Sequence, residues 1–428
     1  MRAGSPRVLR EMNDRAAIDA LLREGPLTRS ELEYSIGLSK PATAQLLARL
    51  EQEGIVVKTG VRSGGRGPRA QLWTVNGKLA YVAAVDLTPW EADFVVADIT
   101  GAVLAEHRMQ VPVEAGADVV GAFGNLVEHA VRAAGLQVTD LHHVVIGAQG
   151  AFDPRTGRLS SAPHIPGWLG FDVPARLSAE LDIDVVIEND VNLVAIAEMT
   201  TGRATEFRDF VLVWLSEGVG GAVVVGRRLL RGASGGGGEI DWMRVPDPAS
   251  VSTGDNTERG GARFGDLVSS PAIVTLAAAH GIDSDTGWDA VAAAPEAGPS
   301  GDVFLDDLAR RVAAAVAGIV SVVDPELVLL CGDVSRAGGE PFAERVSTRL
   351  HELVLPRTPV GIASVQGNAV RAGALQSALI TVRHDVFGLV SPTTPSLPGH
   401  ADPWRESPVA PWAIPTSRTA QPSRTVDN

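Results

Sequence analysis

The chain has 428 residues, of which 45% are hydrophobic and 21% are charged, so it is long enough for two or three domains with buried cores. Its single cysteine, Cys331, excludes an intrachain disulfide and any metal site built from several thiolates. No apolar run is long enough to span a membrane, and the first residues lack the apolar core of a signal peptide, so we expect a cytoplasmic protein without membrane contact.

The formal net charge of −14 is unevenly distributed along the chain. Residues 1–80 carry an excess of lysine and arginine, whereas the remaining residues are strongly acidic. Because an acidic surface repels a phosphate backbone, any nucleic-acid contact is expected within residues 1–80.

The first part of the chain predicts two consecutive helices. Apolar residues recur at helical spacing within residues 14–24. Thr28 and Glu31 have the spacing of a capping box, in which each side chain satisfies a free backbone amide, and they predict the start of a second helix. Gly37 is expected to end that helix.

A third helix is predicted from Ser39, which can cap it, to about residue 53. One face of this helix is expected to pack inward and consists of Thr43, Leu46, Leu47 and Leu50. Two strands follow, at residues 55–57 and 71–75, and predict a hairpin. This order predicts a winged helix-turn-helix over residues 1–76.

A helix-turn-helix lays its third helix in the major groove of DNA, and arginines of a wing suit the narrow minor groove or the backbone. The candidate DNA contacts on the third helix are Ser39, Lys40, Ala42, Gln45 and Arg49. The candidates at the hairpin tip are Arg62, Arg66 and Arg69, which flank a Gly-Gly pair. Double-stranded operator DNA is the expected partner, and the alternative is a small helical protein-interaction module.

From Tyr81 onward apolar strands alternate with alanine-rich helices, as in an α/β domain. The predicted strands are residues 81–85, 94–97, 144–146, 185–187, 210–215, 222–225 and 327–330. The pattern begins at Tyr81 and again at Phe210, so we expect two related lobes with a cleft between them, within a domain at residues 81–388. Two polar or Gly/Ala/Pro-rich segments, 250–262 and 282–301, are expected to be loops, and residues 389–428 are expected to form a disordered tail.

Several segments of this domain carry a recognisable chain of motifs. They are IGAQGAFDPRTGRL (146–159), APHIPGW (162–168), ENDVN (188–192), RGASGGGGEIDWMRV (231–245) and PELVLLCGDVSRAG (325–338). Together with the wing they resemble the ROK family of repressors, open reading frames and kinases, over residues 15–388. The resemblance implies the two-lobed, actin-like ATPase fold of the ribonuclease H type, a sugar site in the cleft, and a homodimer or higher homo-oligomer.

The resemblance also implies which residues contact a sugar. Asp190 matches the general base of the family's kinases, Asn189 holds neighbouring hydroxyls, and Glu239 binds further hydroxyls. The polar-aromatic pair His164 and Trp168 lies in a segment close to that pocket. Carboxylates and amides suit vicinal hydroxyls and an aromatic ring suits the apolar face of a sugar. The alternative is that Asn189 and Asp190 merely cap the helix that follows them.

The phosphate side of this resemblance is degenerate. The family's kinases begin the domain with Asp-x-Gly-Gly-Thr, but this chain has Asp86-Leu-Thr-Pro-Trp90. Pro89 has no backbone N–H to donate to a phosphate, and Thr88 and Trp90 fill space that the nucleotide would need. The second phosphate loop contains Glu217, whose carboxylate repels phosphates. We therefore expect no enzyme activity and no nucleotide cofactor, with Asp190 left as a vestigial base.

The family's zinc site is also altered, because Trp242 replaces its histidine and residues 246–270 contain no cysteine. We expect no metal, and we count Trp242 among the candidate effector contacts because the replaced histidine also touches sugar. The favoured interpretation is a regulator, most simply a repressor, whose kinase-like domain senses a sugar or sugar derivative. Closure of the cleft is expected to reorient the winged helix, which is joined to that domain by only the short stretch 76–80. The alternatives are an active ATP-dependent sugar kinase with an attached DNA-binding domain, or a DNA-binding protein whose second domain only dimerises.

Overall fold

The computed structural model describes residues 6–62, 69–111, 118–153, 156, 158–161, 168, 172–245 and 261–389. Its helices are α1 (Pro6–Glu24), α2 (Arg29–Ile36), α3 (Lys40–Gln52), α4 (Val119–Ala133), α5 (Val173–Leu181), α6 (Asp190–Thr200), α7 (Phe264–Val268), α8 (Ser270–Ala279), α9 (Gly287–Ala293), α10 (Pro299–Val323), α11 (Asp333–Leu353) and α12 (Ala369–Phe387). None of the helices in these ranges is long and apolar enough to cross a membrane.

The strands are β1 (Leu27–Thr28), β2 (Val56–Arg62), β3 (Ala70–Val75), β4 (Tyr81–Leu87), β5 (Glu91–Asp98), β6 (Val103–Gln110), β7 (Leu141–Ala148), β8 (Ala151–Phe152), β9 (Leu159–Ser161), β10 (Asp184–Asn189), β11 (Phe210–Leu215), β12 (Val219–Val225), β13 (Arg228–Leu229), β14 (Arg244–Val245), β15 (Ala262–Arg263), β16 (Leu327–Cys331) and β17 (Val360–Ile362). The seven strands predicted from Tyr81 onward are confirmed as parts of these elements. Of the predicted hairpin, residues 71–75 lie in β3 and residues 56–57 lie in β2. Eight of these strands were not predicted from the sequence: β1, β6, β8, β9, β13, β14, β15 and β17.

Helices α1 to α3 and strands β1 to β3 form one small unit at the N-terminus. The predicted capping box is confirmed, because the Thr28 hydroxyl accepts from the Glu31 amide and the Glu31 carboxylate accepts from the Thr28 amide at 2.8 Å. Gly37 ends α2 in the left-handed conformation, with φ of 68°. The predicted inward face of α3 is buried, and the sheet has the antiparallel order β1-β3-β2.

Two five-stranded sheets with the same topology follow. The first has the order β10-β7-β4-β5-β6 and the second has the equivalent order β17-β16-β11-β12-β13. In each sheet the central strand, β4 or β11, pairs in parallel with one neighbour and in antiparallel fashion with the other. The predicted repeated α/β lobes are therefore confirmed.

Helices α6 and α12 lie between the two sheets. Alternating residues of β4 divide between two cores, because Val82 and Ala84 belong to the cluster that contains α6 and α12, whereas Val85 faces α4. The two helices approach each other closely, since a Cβ atom at Gly373 of α12 would lie 1.8 Å from the Leu193 carbonyl oxygen of α6. This close packing places the start of α6 at the junction of the lobes.

The prediction of a loop over residues 282–301 was wrong. The segment contains α9, a 3-10 turn at Ala294–Ala297 and the start of α10. Thr286 caps α9 by accepting from the Asp289 amide at 3.1 Å, and Ala290 and Val291 are buried against the second lobe. Its Gly/Ala/Pro-rich composition hid a helix that tertiary packing stabilises. Most of the other predicted loop and all but the first residue of the predicted tail lie outside the described residues.

The N-terminal unit is not joined to the lobes by the linker 76–80 alone. Ile18 and Leu21 of α1 belong to the same buried cluster as Val382 and Phe387 of α12. Gly388 ends α12 with φ of 61°, and a Cβ atom there would lie 2.7 Å from Nη2 of Arg15 in α1. One continuous core therefore runs from the N-terminal helices to the centre of the two lobes, which corrects the expectation of a tether.

Candidate functional site

A cleft of about 750 Å³ opens between the two lobes. Its described lining consists of the β4–β5 turn (88–91), residues 149–150, the start of α6 (189–192), Trp214, the β11–β12 turn and adjoining strand (216–221), and the glycine-rich residues 235 and 237–239. The β4–β5 and β11–β12 turns occupy equivalent positions in the two sheets, so each lobe contributes one turn to the cleft.

The start of α6 places Asn189 and Asp190 in this cleft. Asn189 is the N-cap of α6, because its Oδ1 accepts from the Asn192 amide at 3.1 Å, and its Nδ2 donates to the Gly150 carbonyl at 3.1 Å. One oxygen of Asp190 accepts from the Val191 amide at 2.8 Å. Asn189 therefore caps α6, as the alternative interpretation supposed, but this does not decide whether it also binds a sugar. Capping leaves room for ligand contact, because both residues line the cavity.

The cleft contains carboxyl groups whose ionised forms are disfavoured by burial and by the negative charges of their neighbours. Burial, followed by the charges of Asp86 and Glu239, raises the pKa of Asp190 to about 7. Burial also raises the pKa of Glu239, with a further contribution from Asp241. Asp190 is therefore able to accept or donate hydrogen bonds near neutral pH, according to its protonation.

An ion pair that the sequence analysis did not predict ties the two lobes together beneath the cleft. Arg231, at the start of the glycine-rich segment, donates from Nε to Glu188 of β10 at 2.7 Å. The other oxygen of Glu188 accepts from Asn192 at 2.8 Å and from the Asn189 amide at 3.1 Å. The pair therefore connects the glycine-rich segment to the start of α6. Both residues lie within the quoted motifs, which was the only signal available in the sequence.

The two turns have the residues that the sequence analysis assigned to degenerate phosphate loops. The β4–β5 turn is closed by Thr88, whose hydroxyl donates to the Glu91 carbonyl at 2.9 Å and accepts from the Glu91 amide at 3.1 Å. Trp90 at its tip is 67% exposed. In the opposite turn Glu217 is exposed, and the Ser216 hydroxyl donates to Asp333 at 2.6 Å.

Of the three expected contacts at His164, Trp168 and Trp242, the two tryptophans are described, and neither appears in the cleft lining. Trp168 is buried in the first lobe and packs edge-on against Phe123, with ring centroids 5.6 Å apart, so it does not cover a sugar. Trp242 is outside the described lining, and the Arg263 guanidinium lies 3.9 Å from its ring centroid. His164 lies outside the described residues. Trp214 lines the cleft together with Trp90. It was not predicted as a site residue, because it lies in the apolar strand β11 and was interpreted only as part of that strand.

The predicted third-helix residues differ in exposure. Ser39 and Lys40 are exposed at the start of α3, although the Ser39 side chain makes no capping hydrogen bond. Gln45 is exposed on the outer face, and Ala42 is half-buried. Arg49 is half-buried and forms an ion pair with Asp14 of α1, so its guanidinium is held within the protein.

The wing residues also differ. Arg62 pairs with Glu31 and donates to the Pro26 carbonyl at 3.2 Å. Arg69 is exposed, and Arg66 lies outside the described residues. Between α3 and the sheet lies a groove of about 480 Å³ lined by Arg29 and Lys58, two cations that the sequence analysis did not select.

No group of three or more His, Cys, Asp or Glu side chains suited to a metal ion occurs within the described ranges. Trp242, the residue that replaces the family's zinc histidine, faces the Arg263 guanidinium, which also pairs with Asp241. This contact joins the segment after the glycine-rich loop to β15.

The chain is similar in sequence both to repressors and to sugar kinases. The chain is 22% identical over 353 residues to the xylose repressor of Caldicellulosiruptor bescii, covering 80% of this chain and 88% of that protein. It is 26% identical to the glucokinase of Halalkalibacterium halodurans, over 52% of this chain and 70% of that protein.

Among solved structures, a ROK family transcriptional regulator described as a homologue of the E. coli MLC protein gives a TM-score of 0.67 at 20% identity, covering 87% of this chain and 96% of that chain. The ROK hexokinase of Thermus thermophilus gives 0.59 at 26% identity, covering 71% and 99%. The model of the ROK family matches residues 82–378, and the chain therefore belongs to the ROK family.

Proposed function

We propose that this protein is a sugar-responsive, DNA-binding transcriptional repressor. A winged helix-turn-helix at residues 1–76 binds the operator, and the kinase-like domain at residues 81–388 binds a sugar or sugar derivative. The observation that carries the proposal is the composition of the cleft: it retains Asn189, Asp190 and Glu239, but has Trp90 and Glu217 at its two turns. The match to a xylose repressor extends over 80% of the chain and supports this function.

The DNA-binding part of the proposal rests on the order of elements and on charge. Three helices followed by an antiparallel hairpin are typical of a winged helix-turn-helix, whose third helix enters the major groove. Exposed Lys40 and Gln45 on α3 suit a phosphate and a base edge, respectively. Because one such helix reads few base pairs, we propose a homodimer on a two-fold symmetric operator.

Helix α12 provides a route for the sugar to act on DNA binding. Its first residue follows Asn368, which hydrogen-bonds Asp86 of β4, the strand that leads into the cleft, and its last turn packs with α1. A sugar that changes the lobe closure would move α12 and hence the N-terminal unit. The size of the effect is bounded by the differential affinity of the sugar for the two arrangements.

The test is a titration of full-length protein with operator DNA selected from a random library, with and without a panel of monosaccharides. One sugar is expected to change the operator Kd by roughly 5- to 150-fold, and the operator must change the sugar Kd by the same factor. Asp190→Ala should abolish the response and leave ligand-free DNA binding intact. Failure to select any DNA, or equal sugar affinity with and without operator, would overturn the proposal.

A second candidate function is an active sugar kinase, because a carboxyl group with a pKa of about 7 suits a general base at neutral pH. The 26% identity to a glucokinase favours the same alternative. We favour the regulator, since Pro89 offers no backbone donor to phosphate and Glu217 repels it. Sugar-dependent ADP release above that of the Asp190→Asn variant would decide for the kinase.

A further inference from the structure

We propose that the side of the cleft formed by the two turns is a second saccharide subsite, so that the effector is a disaccharide or longer glycoside. This inference rests on the proposed function, in which the first ring binds near Asn189, Asp190 and Glu239. The second subsite consists of Trp90 and the β11–β12 turn, and Trp214 lines the same cavity.

Trp90 presents a large aromatic surface to the cleft. Its indole ring is 67% exposed, and the residue lines the cavity. Its turn is closed by the reciprocal hydrogen bonds of Thr88 and Glu91, and the Trp90 carbonyl accepts from the Val111 amide at 2.9 Å. The backbone that carries the ring is thus held in place before a ligand arrives, which lowers the entropic cost of binding.

The groups in the lining near Trp90 and Trp214 have the chemistry of a sugar site. Indole rings cover the apolar faces of sugar rings, and the exposed carboxylate of Glu217 accepts hydrogen bonds from hydroxyls while repelling phosphates. Gly218 adds space, because a Cβ atom there would meet nothing within 4 Å. These groups suit an uncharged polyol ring better than a nucleotide.

The cleft is large enough for more than one sugar ring. It is one cavity of about 750 Å³, within the range that holds drug-sized ligands. A single pyranose is much smaller than this cavity and would leave part of the lining free. A second ring linked to the first would extend the ligand toward Trp90 and Glu217.

The experiment is calorimetry on the full-length protein with matched pairs: xylose and xylobiose, glucose and cellobiose, and glucose and maltose. We expect at least one disaccharide to bind about tenfold or more tightly than its monosaccharide. Trp90→Ala should remove that advantage and leave the monosaccharide Kd unchanged, and Trp90→Phe should retain part of it. Trp242→Ala is the matched control, because Trp242 is also 67% exposed but lies outside the described cleft lining.

Each other result overturns the second subsite, in distinguishable ways. Monosaccharide binding that needs Asp190 but gains nothing from a second ring overturns the subsite and leaves the proposed function standing. An equal loss of mono- and disaccharide affinity in Trp90→Ala, or a change in oligomeric state by light scattering without selective loss, also overturns it. No binding of any of these sugars overturns both the subsite and the proposed sugar site.

Discussion

The side-chain amide of Asn368 donates a hydrogen bond to Asp86 at 2.9 Å, which joins the first turn of α12 to the strand that leads into the cleft. The same amide donates to Asp93 at 3.0 Å, and the Asn368 Oδ1 caps α12 by accepting from the Arg371 amide at 2.9 Å. Burial raises the pKa of Asp86 despite this hydrogen bond. Asn368 is thus both a helix cap and a contact between α12 and the strands β4 and β5, whose turn lines the cleft.

Replacing Asn368 with alanine is expected to weaken the coupling between sugar and operator. The loss of the cap should cost about 1 kcal/mol of stability. Asp118→Ala is the control, because Asp118 caps α4 in the same manner, accepting from the Gly121 amide at 3.1 Å, far from α12 in sequence. In operator titrations, the ratio of the Kd values with and without sugar should be reduced for Asn368→Ala only. Equal ratios in the two variants would mean that α12 does not transmit the signal through Asn368.

Gly373→Ala is expected to destabilise the protein by about 2 kcal/mol or more, because the new methyl group would meet the Leu193 backbone where α6 and α12 pack. Gly218→Ala is the matched control and is expected to change stability by less than about 0.5 kcal/mol, since its site is open. Urea denaturation of both variants measures the difference. Similar urea midpoints for Gly373→Ala and Gly218→Ala would show that α6 and α12 can move apart at little cost in stability.

Sugar binding is expected to strengthen as the pH rises through about 7. The raised pKa of Asp190 keeps much of this carboxyl protonated at pH 6, whereas at pH 8 it is ionised and accepts from two hydroxyls. If only the ionised form binds, affinity rises about tenfold from pH 6 to pH 8. Calorimetry at both values checks this, and Asp190→Asn should remove the dependence. A higher affinity at pH 6 than at pH 8 would show that the protonated form of Asp190 is the one that binds.

Gln45→Ala and Arg49→Ala are expected to affect DNA binding differently. Exposed Gln45 is free to pair with an adenine, so its loss should reduce discrimination at one base pair per half-site by about 1–3 kcal/mol. Arg49 is paired with Asp14, so Arg49→Ala and Asp14→Ala should lower the stability of the N-terminal unit and weaken binding to all operator variants alike. Binding to a set of single-base operator variants separates the two effects. Base-selective loss in Arg49→Ala alone would contradict this assignment.

Local features of the sequence determined the N-terminal helices and the main strands of the two lobes. The capping box of Thr28 and Glu31, the buried face of α3 and the seven strands predicted from Tyr81 onward depend on residues close together in the chain, where hydrophobic period and backbone capping act directly. The motif at residues 188–192 likewise identified the start of α6, because a helix cap and its neighbours are contiguous. These elements could be predicted without knowing what packs against them.

Only the tertiary structure decided which side chains meet. Trp168 and Trp214 have the same side chain, yet one packs in a core and the other lines the cleft, because the neighbouring strands and helices determine what surrounds each. Arg231 and Glu188 are distant in sequence and meet through the arrangement of the lobes. The contact of α12 with α1 brings together two helices that are more than 340 residues apart in sequence. Such pairings depend on how the elements pack, and neither composition nor local periodicity contains that information.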